Sequence, residues 1–276
     1  MRFMPYIIVS GSFDNLRSQH VRLLHEASQL GKVHALVWSD EVVHALEGTP
    51  PKFPLVERLY TLQSIRYVDL VTPLAQLVSQ DTLPDHLLSQ AKAWVVDEAS
   101  DNLLKRSFCE GYGLDFYVIH KVDLLGFPAF QPEALPVNSP RKKVIVTGCF
   151  DWLHSGHIRF FEEVSELGDL FVVVGHDENV RLLKGEGHPL FSQEERRYMV
   201  QSIRFVRQAL ISSGSGWMDG EPEIESLQPD IYAVNEDGDK PEKHTFCAQH
   251  NLEYIVLRRV PKEGLPRRES RVLRGF

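Results

Sequence analysis

Cysteine is scarce in this chain of 276 residues, and long hydrophobic runs are absent. The three cysteines, Cys109, Cys149 and Cys247, are odd in number and show no CxxC spacing, which argues against a disulfide framework and against a cysteine-based zinc site. We therefore expect a reducing, cytoplasmic location. No stretch approaches the roughly 18 uninterrupted apolar residues that a membrane-spanning helix needs. Residues 1–9 are too short an apolar run for a secretory signal.

An excess of basic residues is also lacking. Lysine and arginine number 30 against 38 aspartate and glutamate residues, and the formal net charge is −8 at pH 7. This balance argues against a general nucleic-acid binder. It does not exclude small anionic ligands, because a local site can be basic on an acidic protein. The length suggests one large domain or two small ones.

The sequence does contain an internal repeat. Residues 7–48 align with 144–185 at a constant offset of 137, and 19 of these 42 positions are identical. After a slip of one position, residues 57–68 align with 195–206. A unit of this length is far too long for a solenoid repeat and corresponds to one domain. The chain is therefore predicted to be a tandem duplication.

A proline-rich stretch separates the two copies. Residues 126–140 contain four prolines and show neither a helical nor a strand period, as is typical of a semi-rigid linker. We expect a first domain over residues 1–125, a linker over 126–141 and a second domain over 142–276.

Each copy alternates β-branched runs with segments of helical period. In the second copy we expect strands at 143–147, 170–174, 230–234 and 253–257, and helices at 156–167, from 192 to about 203, and at 242–250. This alternation predicts βαβ units, hence two tandem α/β domains, each a parallel sheet flanked by helices. Ligands of such sheets bind at the carboxyl ends of the strands.

The segment TGCFDWLHSGH, residues 147–157, lies at such an end, between the first strand and the first helix of the second copy. Gly148 and Gly156 allow the backbone to approach a ligand, and the start of a helix favours phosphate through its free amides and dipole. His154 and His157 are three residues apart, so both can point to one side of this helix start. Two imidazoles there can donate hydrogen bonds to phosphate oxygens.

This segment resembles the HxGH signature of the nucleotidyltransferase superfamily. Its GCFD lead-in is similar to that of the cytidylyltransferases acting on phosphoethanolamine, phosphocholine and glycerol 3-phosphate, and the tandem arrangement resembles the ethanolamine-phosphate enzymes. The resemblance implies Rossmann-like domains of the HUP type. It also implies transfer of a nucleotidyl group, CMP from CTP being favoured, to a phosphorylated small alcohol or sugar, with release of pyrophosphate. An adenylyltransferase using ATP to modify a cofactor precursor or heptose phosphate is one alternative, and a regulatory nucleotide-binding protein without turnover is another.

The resemblance also implies roles for individual residues. His154 and His157 would stabilise the transition state, and Lys184 would neutralise the α-phosphate and the acceptor. The nucleotide-binding set would be Gly148, Cys149, Phe150, Asp151, Gly156, Arg196, Asn235, Asp237, Asp239 and Ser270. Mg²⁺ is expected on the triphosphate, held largely by phosphate oxygens and water. The resemblance suggests a homodimer.

The end of the second copy departs from the family pattern. Family members carry a serine- and threonine-rich turn that touches the triphosphate. Here the corresponding residues are Glu269, Ser270 and Arg271. A carboxylate at this place would repel phosphate, whereas additional arginines could bind it.

The first copy departs further. It has Arg17, Gln19 and Glu47 in place of the first histidine, the second glycine and the lysine of the second copy, and it lacks a counterpart of residues 264–270. A glutamate in place of the lysine would repel a phosphate. We expect the first domain to be catalytically inactive and to support the second. A weak regulatory nucleotide site in the first domain is the alternative.

Overall fold

The computed structural model describes residues 5–76, 79–129, 140–270 and 272–273. Contacts divide the chain into two units, with the division between residues 126 and 127. Most of the expected linker, residues 130–139, lies outside the described residues, as does Arg271. Within the described part, no helix is long and apolar enough to cross a membrane.

The first unit alternates strands and helices around one parallel sheet. Its elements are β1 (Tyr6–Gly11), α1 (Ser18–Leu30), β2 (Val33–Trp38), α2 (Asp40–Glu47), α3 (Leu55–Gln63), β3 (Leu70–Leu74), α4 (Asp85–Leu88), β4 (Ala91–Asp97), α5 (Leu103–Tyr112) and β5 (Asp115–Ile119). The strand order is β3-β2-β1-β4-β5, and every neighbouring pair is parallel.

The second unit repeats this arrangement. Its elements are β6 (Lys143–Gly148), α6 (Ser155–Leu167), β7 (Asp169–Val174), α7 (Asp177–Lys184), α8 (Gln193–Gln201), β8 (Val206–Ile211), α9 (Glu221–Leu227), β9 (Ile231–Asn235), α10 (Pro241–Gln249) and β10 (Glu253–Leu257). The order β10-β9-β6-β7-β8 is that of the first sheet read from the other edge, again fully parallel. The predicted fold of two tandem Rossmann-like α/β domains is confirmed.

Three elements of the second unit, α7, β8 and α9, were not predicted from the sequence. Strand β8 is buried at Val206 and Ala209 but partly exposed at its other positions, so it lacks the continuous apolar run of a central strand. Helix α7 buries Asn179 and Val180 and leaves Leu182 exposed, so its apolar residues do not follow its buried face.

The core of the second unit lies between its sheet and the covering helices. Strand β6 is buried at its three residues 144–146 and β7 at all but its first residue, as expected for a parallel sheet covered on both faces. Helix α6 adds Ile158, Phe161 and Val164, all fully buried. Each such side chain contributes about 1.5–3 kcal/mol relative to exposure. This packing fixes the strands whose carboxyl ends carry the polar loops described next.

Candidate active site

A cavity of about 510 Å³ lies at the carboxyl ends of β6 and β9. The chain order reverses at β6, since β7 lies on one side of it and β9 on the other. Strand β6 is joined to β9 through Val144 and Ile145, in its amino-terminal half. A topological switch point of this kind is where open α/β sheets bind ligands.

Ten of the thirteen predicted site residues line this cavity. They are His157, Lys184, Gly148, Cys149, Phe150, Asp151, Gly156, Asn235, Asp237 and Ser270. The other three, His154, Arg196 and Asp239, are not among the residues that form its wall.

The loop after β6 is shaped by an aromatic ring. Phe150 has a φ of 50°, in the left-handed region that non-glycine residues rarely adopt. A Cβ atom added to Gly148 would lie 2.8 Å from Cζ of Phe150, so the glycine makes room for this ring. The ring packs against Phe161 and meets the edge of His157 at a centroid distance of 5.3 Å. The loop therefore holds His157 in place from one side.

The two histidines stack at the start of α6. Their ring centroids are 3.9 Å apart. His154 is the N-cap residue: its Nδ1 accepts a hydrogen bond from the Gly156 amide at 3.1 Å, and its Nε2 lies 3.2 Å from Oγ of Ser270. A Cβ atom on Gly156 would come within 3.0 Å of the His154 ring. His154 thus caps the helix and holds the C-terminal segment, whereas His157 faces the cavity.

Both imidazoles are neutral at pH 7. Burial, followed by the neighbouring His157, lowers the pKa of His154 far below its usual range. Burial, followed by the positive charges of Arg259 and Lys184, lowers the pKa of His157 to about 3. Because Nδ1 of His154 accepts from an amide, its proton is assigned to Nε2, which donates to Ser270. The histidines can therefore act as neutral hydrogen-bond donors, and positive charge comes from other residues.

Lys184 supplies one such charge. It ends α7, is exposed to solvent and lines the cavity. It lies near the thiol of Cys149: burial raises the pKa of that thiol, and Lys184 opposes the rise. An exposed ammonium group on a flexible stem can follow a phosphate as it reacts.

Arg196 lies behind the wall of the cavity. Its side chain is 1% exposed and donates to the Phe191 carbonyl at 2.9 Å, to the Cys149 carbonyl at 2.7 Å and to Oδ1 of Asp177 at 2.6 Å. These bonds tie α8 to the loop after β6 and to the start of α7. In this structure Arg196 supports the loop, and its contact with a nucleotide stays a prediction.

Asp151 and Asp239 also make structural bonds. Oδ1 of Asp151 accepts from the amides of Leu190 and Phe191 at 2.7 and 3.2 Å, although Asp151 still lines the cavity. Oδ1 of Asp239 accepts from Nε2 of His244 at 2.8 Å and from the Tyr254 hydroxyl at 2.9 Å. Asp239 therefore links α10 to β10.

The loop after β9 forms the opposite wall. Oδ1 of Asn235 is buried without a hydrogen-bond partner among the described residues, so it is available to a ligand donor. Asp237 forms an ion pair with Arg259, whose other terminal nitrogen donates to the Arg268 carbonyl at 2.9 Å. This wall therefore carries a polar acceptor and a fixed cation.

Two basic residues of the wall, Arg259 and His188, were not among the predicted site residues. Arg259 follows β10 by two residues, so its place at the carboxyl edge of the sheet was the available signal. His188 lies in the loop between α7 and α8, where no periodicity indicates which way a side chain points. Glu269, the unexpected carboxylate, lines the cavity as well.

The sequence of this chain is similar to those of several known proteins. The family described as cytidylyltransferase-like matches residues 8–128 and 145–259. An FAD synthase of Thermococcus kodakarensis is 41% identical over 104 residues, which are 37% of this chain and 68% of that protein. An FAD synthase of Ferroglobus placidus is 38% identical over 97 residues, 35% of this chain and 60% of that protein.

A third relative is the bifunctional protein HldE of Campylobacter concisus. It is 40% identical over 80 residues, which are 29% of this chain and 17% of that protein. The chain thus spans about three fifths to two thirds of the two FAD synthases and under a fifth of this larger relative.

Proposed function

The chain belongs to the cytidylyltransferase-like family of nucleotidyltransferases, and on that premise we propose that its second domain transfers an adenylyl group from ATP to the phosphate of a small acceptor. The observation that carries this proposal is the convergence of His157, Lys184, Asn235 and Ser270 on one cavity. That cavity adjoins the start of α6, where the positive end of the helix dipole favours phosphate.

In the proposed reaction, an oxygen of the acceptor phosphate attacks the α-phosphorus of the nucleotide. A new P–O bond forms, the bond from the α-phosphorus to the bridging oxygen breaks, and pyrophosphate leaves opposite the attacking oxygen. Mg²⁺ enters as part of the nucleotide substrate, held by phosphate oxygens and water. Catalysis of this kind consists mainly of positioning and charge stabilisation.

The residues divide these tasks. His157, neutral and held by Phe150, would donate a hydrogen bond to a phosphate oxygen as charge builds up on it. Lys184 would neutralise the acceptor and the α-phosphate. Asn235 would accept a hydrogen bond from the nucleoside through its buried oxygen. Ser270 would lie beside the triphosphate while orienting His154.

ATP is proposed as the donor because of two relatives, 38% and 41% identical, that are named FAD synthase. FAD contains an adenylyl group, so the name implies adenylyl transfer in those proteins. CTP is the second candidate, favoured by the GCFDWLHSGH segment. A regulatory protein that binds nucleotide without turnover is the third, favoured by the Glu269 carboxylate in the cavity wall.

A competition experiment separates these candidates. The full chain would be titrated calorimetrically with Mg·ATP and Mg·CTP, and pyrophosphate release would then be measured with FMN, heptose phosphate, phosphoethanolamine and glycerol 3-phosphate. The proposal expects ATP to bind at least about tenfold more tightly than CTP, and pyrophosphate to appear with one acceptor. The reverse preference would favour CTP. Tight binding without release across the panel would favour the regulatory protein, and absence of binding would contradict all three.

A further inference from the structure

We propose that Glu221, Glu225 and His250 form a binding site for a divalent metal ion of the zinc class on the surface of the second domain. Glu221 and Glu225 lie on α9, and His250 directly follows α10. One ligand atom from each of the three side chains lies within 4.8 Å of the other two. None of the three lines the cavity described above, so this site is independent of the proposed function.

The two carboxylates come from one face of α9. Glu221 and Glu225 are four residues apart, a spacing that makes side chains neighbours on a helix and at which two like charges destabilise it. Glu221 lies in the first turn, where the helix dipole favours a carboxylate, but Glu225 lies in the last turn, where the dipole disfavours one. A cation bound between the two carboxylates would offset both unfavourable effects.

The imidazole of His250 is held with one nitrogen towards these carboxylates. Its Nδ1 lies 3.0 Å from the Phe246 carbonyl, and because a carbonyl only accepts, the proton of this bond is on Nδ1. The imidazole also stacks on the Phe246 ring, which is 6% exposed, at a centroid distance of 4.0 Å. Metal-binding histidines almost always donate their other ring N–H to a carbonyl, a carboxylate or water in this way. Nε2 is therefore the nitrogen that can bind a metal ion.

The distance between His250 and Glu221 fits two ligands of one metal ion. Nε2 of His250 lies 3.7 Å from Oε1 of Glu221. This distance is within the range of an ion pair but is too long for a hydrogen bond, which needs about 2.7–3.2 Å. Two ligands of a tetrahedral zinc ion, each about 2.0–2.1 Å from the metal, lie about 3.3 Å apart. Because both glutamates are exposed, small rotations of their side chains can bring the ligand atoms to this spacing.

The ligand atoms indicate the class of metal. Imidazole nitrogen suits Zn²⁺, Ni²⁺ and Cu²⁺, whereas Mg²⁺ and Ca²⁺ are bound mainly by oxygen atoms. Zn²⁺ accepts one histidine and two carboxylates, with water at the fourth position of the tetrahedron. A divalent ion would also balance the two carboxylate charges beside a neutral imidazole. It would join α9 to α10, the helices before and after β9.

The first copy provides an independent observation. At the offset of 138, the residues that correspond to the three proposed ligands are Leu83, Leu87 and Tyr112. Leu83 and Leu87 are buried, and none of the three offers a carboxylate or an imidazole. The same fold is therefore built without these ligands, so packing does not explain why they meet in the second domain.

The test uses Zn²⁺ alone as the probe. The full chain, free of any affinity tag and treated with a chelator, would be titrated calorimetrically with ZnCl₂ in the absence of nucleotide. The same titration would be made on His250→Gln and on Glu225→Gln; the Glu225 side chain is exposed, so its variant keeps the test valid if His250→Gln folds poorly. The matched controls are Glu242→Gln, exposed on α10, and His86→Gln, exposed on α4 of the first domain.

We expect the wild type to have a zinc site whose affinity falls at least about tenfold in both His250→Gln and Glu225→Gln. Both controls should match the wild type. Because the ion binds only the folded domain, saturating zinc should raise the melting temperature of the second domain by about 4 °C or more in the wild type and the controls, but not in His250→Gln. Zinc bound by the cavity histidines would be retained in all these variants.

Three results would overturn the inference: no zinc binding by the wild type, equal zinc affinity in the wild type, His250→Gln and Glu225→Gln, or the same loss in the control variants. An ion pair without a metal would have its own signature. In that case His250→Gln would lower the melting temperature of the metal-free chain, and zinc would leave the melting of the wild type unchanged.

Discussion

The two copies hold the loop after their first strand in the same way. In the first copy Arg58 donates to the Phe53 carbonyl at 2.9 Å and to Oδ1 of Asp40 at 2.6 Å. In the second copy Arg196 makes the equivalent bonds to Phe191 and Asp177 at the same distances. The backbone conformation of the loop also matches. Phe13 and Phe150, each two residues after the glycine that ends the strand, have φ values of 48° and 50°.

The copies differ at the start of the following helix. In the first, the backbone amide of Arg17 donates to Nδ1 of His20 at 3.0 Å, so the retained histidine belongs to the helix cap. In the second, His154 is the cap, and His157, the counterpart of His20, lines the cavity. The comparison shows that the shared arginine and phenylalanine support the loop in both copies. Among the residues proposed to bind phosphate, the first copy keeps the second histidine but replaces the lysine.

The difference between the two copies is tested most strongly by replacing Lys184 with glutamate, the residue that the first copy has at this position. Lys184→Glu introduces the residue of the first copy, and we expect pyrophosphate release to fall about 10²–10³-fold because a carboxylate repels the reacting phosphates. Lys184 is exposed, so folding should be unaffected. Arg181→Glu, on the exposed side of the same helix, is the matched control and should retain near-normal activity. If Lys184→Glu keeps more than a tenth of the wild-type rate, the lysine is not what distinguishes the two copies.

Substitution of the shared arginine should lower the free energy of unfolding of both domains by a similar amount. Arg196→Met and Arg58→Met each leave backbone carbonyls and a carboxylate without their donor, and we expect a loss of about 3 kcal/mol in the affected domain. The paired carboxylates are 30–41% exposed, so most of this loss comes from the carbonyl bonds. Calorimetric melting would show the domain transitions, and a harmless Arg58→Met would contradict the shared role.

Acidification should distinguish His157 from its counterpart in the first copy, His20. The pKa of His157 is about 3 in the folded domain, against 6.5 when unfolded, so the unfolded state alone takes up this proton between those values. Stability therefore falls as pH decreases from 6.5 towards 3, by about 1.4 kcal/mol per pH unit for this group. Burial also lowers the pKa of His20, whereas the negative charge of Asp97 raises it. The pH range over which His20 affects stability is therefore narrower than that of His157.

The measurement is the urea midpoint of each domain between pH 4.5 and 7. In His157→Asn, the free energy of unfolding of the second domain should depend less steeply on pH, by the slope that one proton contributes. His20→Asn should change the slope of the first domain less. Equal slopes for the wild type and His157→Asn would contradict the burial of a neutral imidazole.

The smallest effect concerns the glycines after the first strands. A Cβ atom on Gly148 would meet the Phe150 ring at 2.8 Å, whereas on Gly11 it would approach the Phe13 ring at 3.8 Å. We expect Gly148→Ala to cost about 1–2 kcal/mol, since its ring is buried and cannot retreat. Gly11→Ala should cost under about 0.5 kcal/mol. Thermal melting of both variants checks this, and equal losses would show that the ring is not the reason for the glycine.

Much of the fold was predictable because buried parallel strands have continuous apolar sequences, as β6 and β7 do. Strand β8 was not, because its half-exposed residues carry no such run. The cavity was predictable from one segment, residues 147–157, since the carboxyl end of a strand and the start of a helix meet there. Its far walls, with Arg259 and His188, depend on loop paths that local pattern does not encode.

Arg196 illustrates a second limit of local sequence pattern. A local sequence shows an arginine near a site but not the direction of its guanidinium group. The repeat contained the missing information, because Arg58 persists in a copy whose phosphate site is altered. An arginine that makes the same backbone bonds in both copies is better interpreted as part of the fold.

The central claim, that the nucleotide site lies in the second copy, is tested most directly by calorimetric stoichiometry. Mg·ATP and Mg·CTP would be titrated into the wild type, Lys184→Glu and Glu47→Lys. The account predicts one nucleotide per chain in the wild type and in Glu47→Lys, with affinity at least about tenfold weaker in Lys184→Glu. Two nucleotides per chain, or undiminished binding by Lys184→Glu, would contradict it.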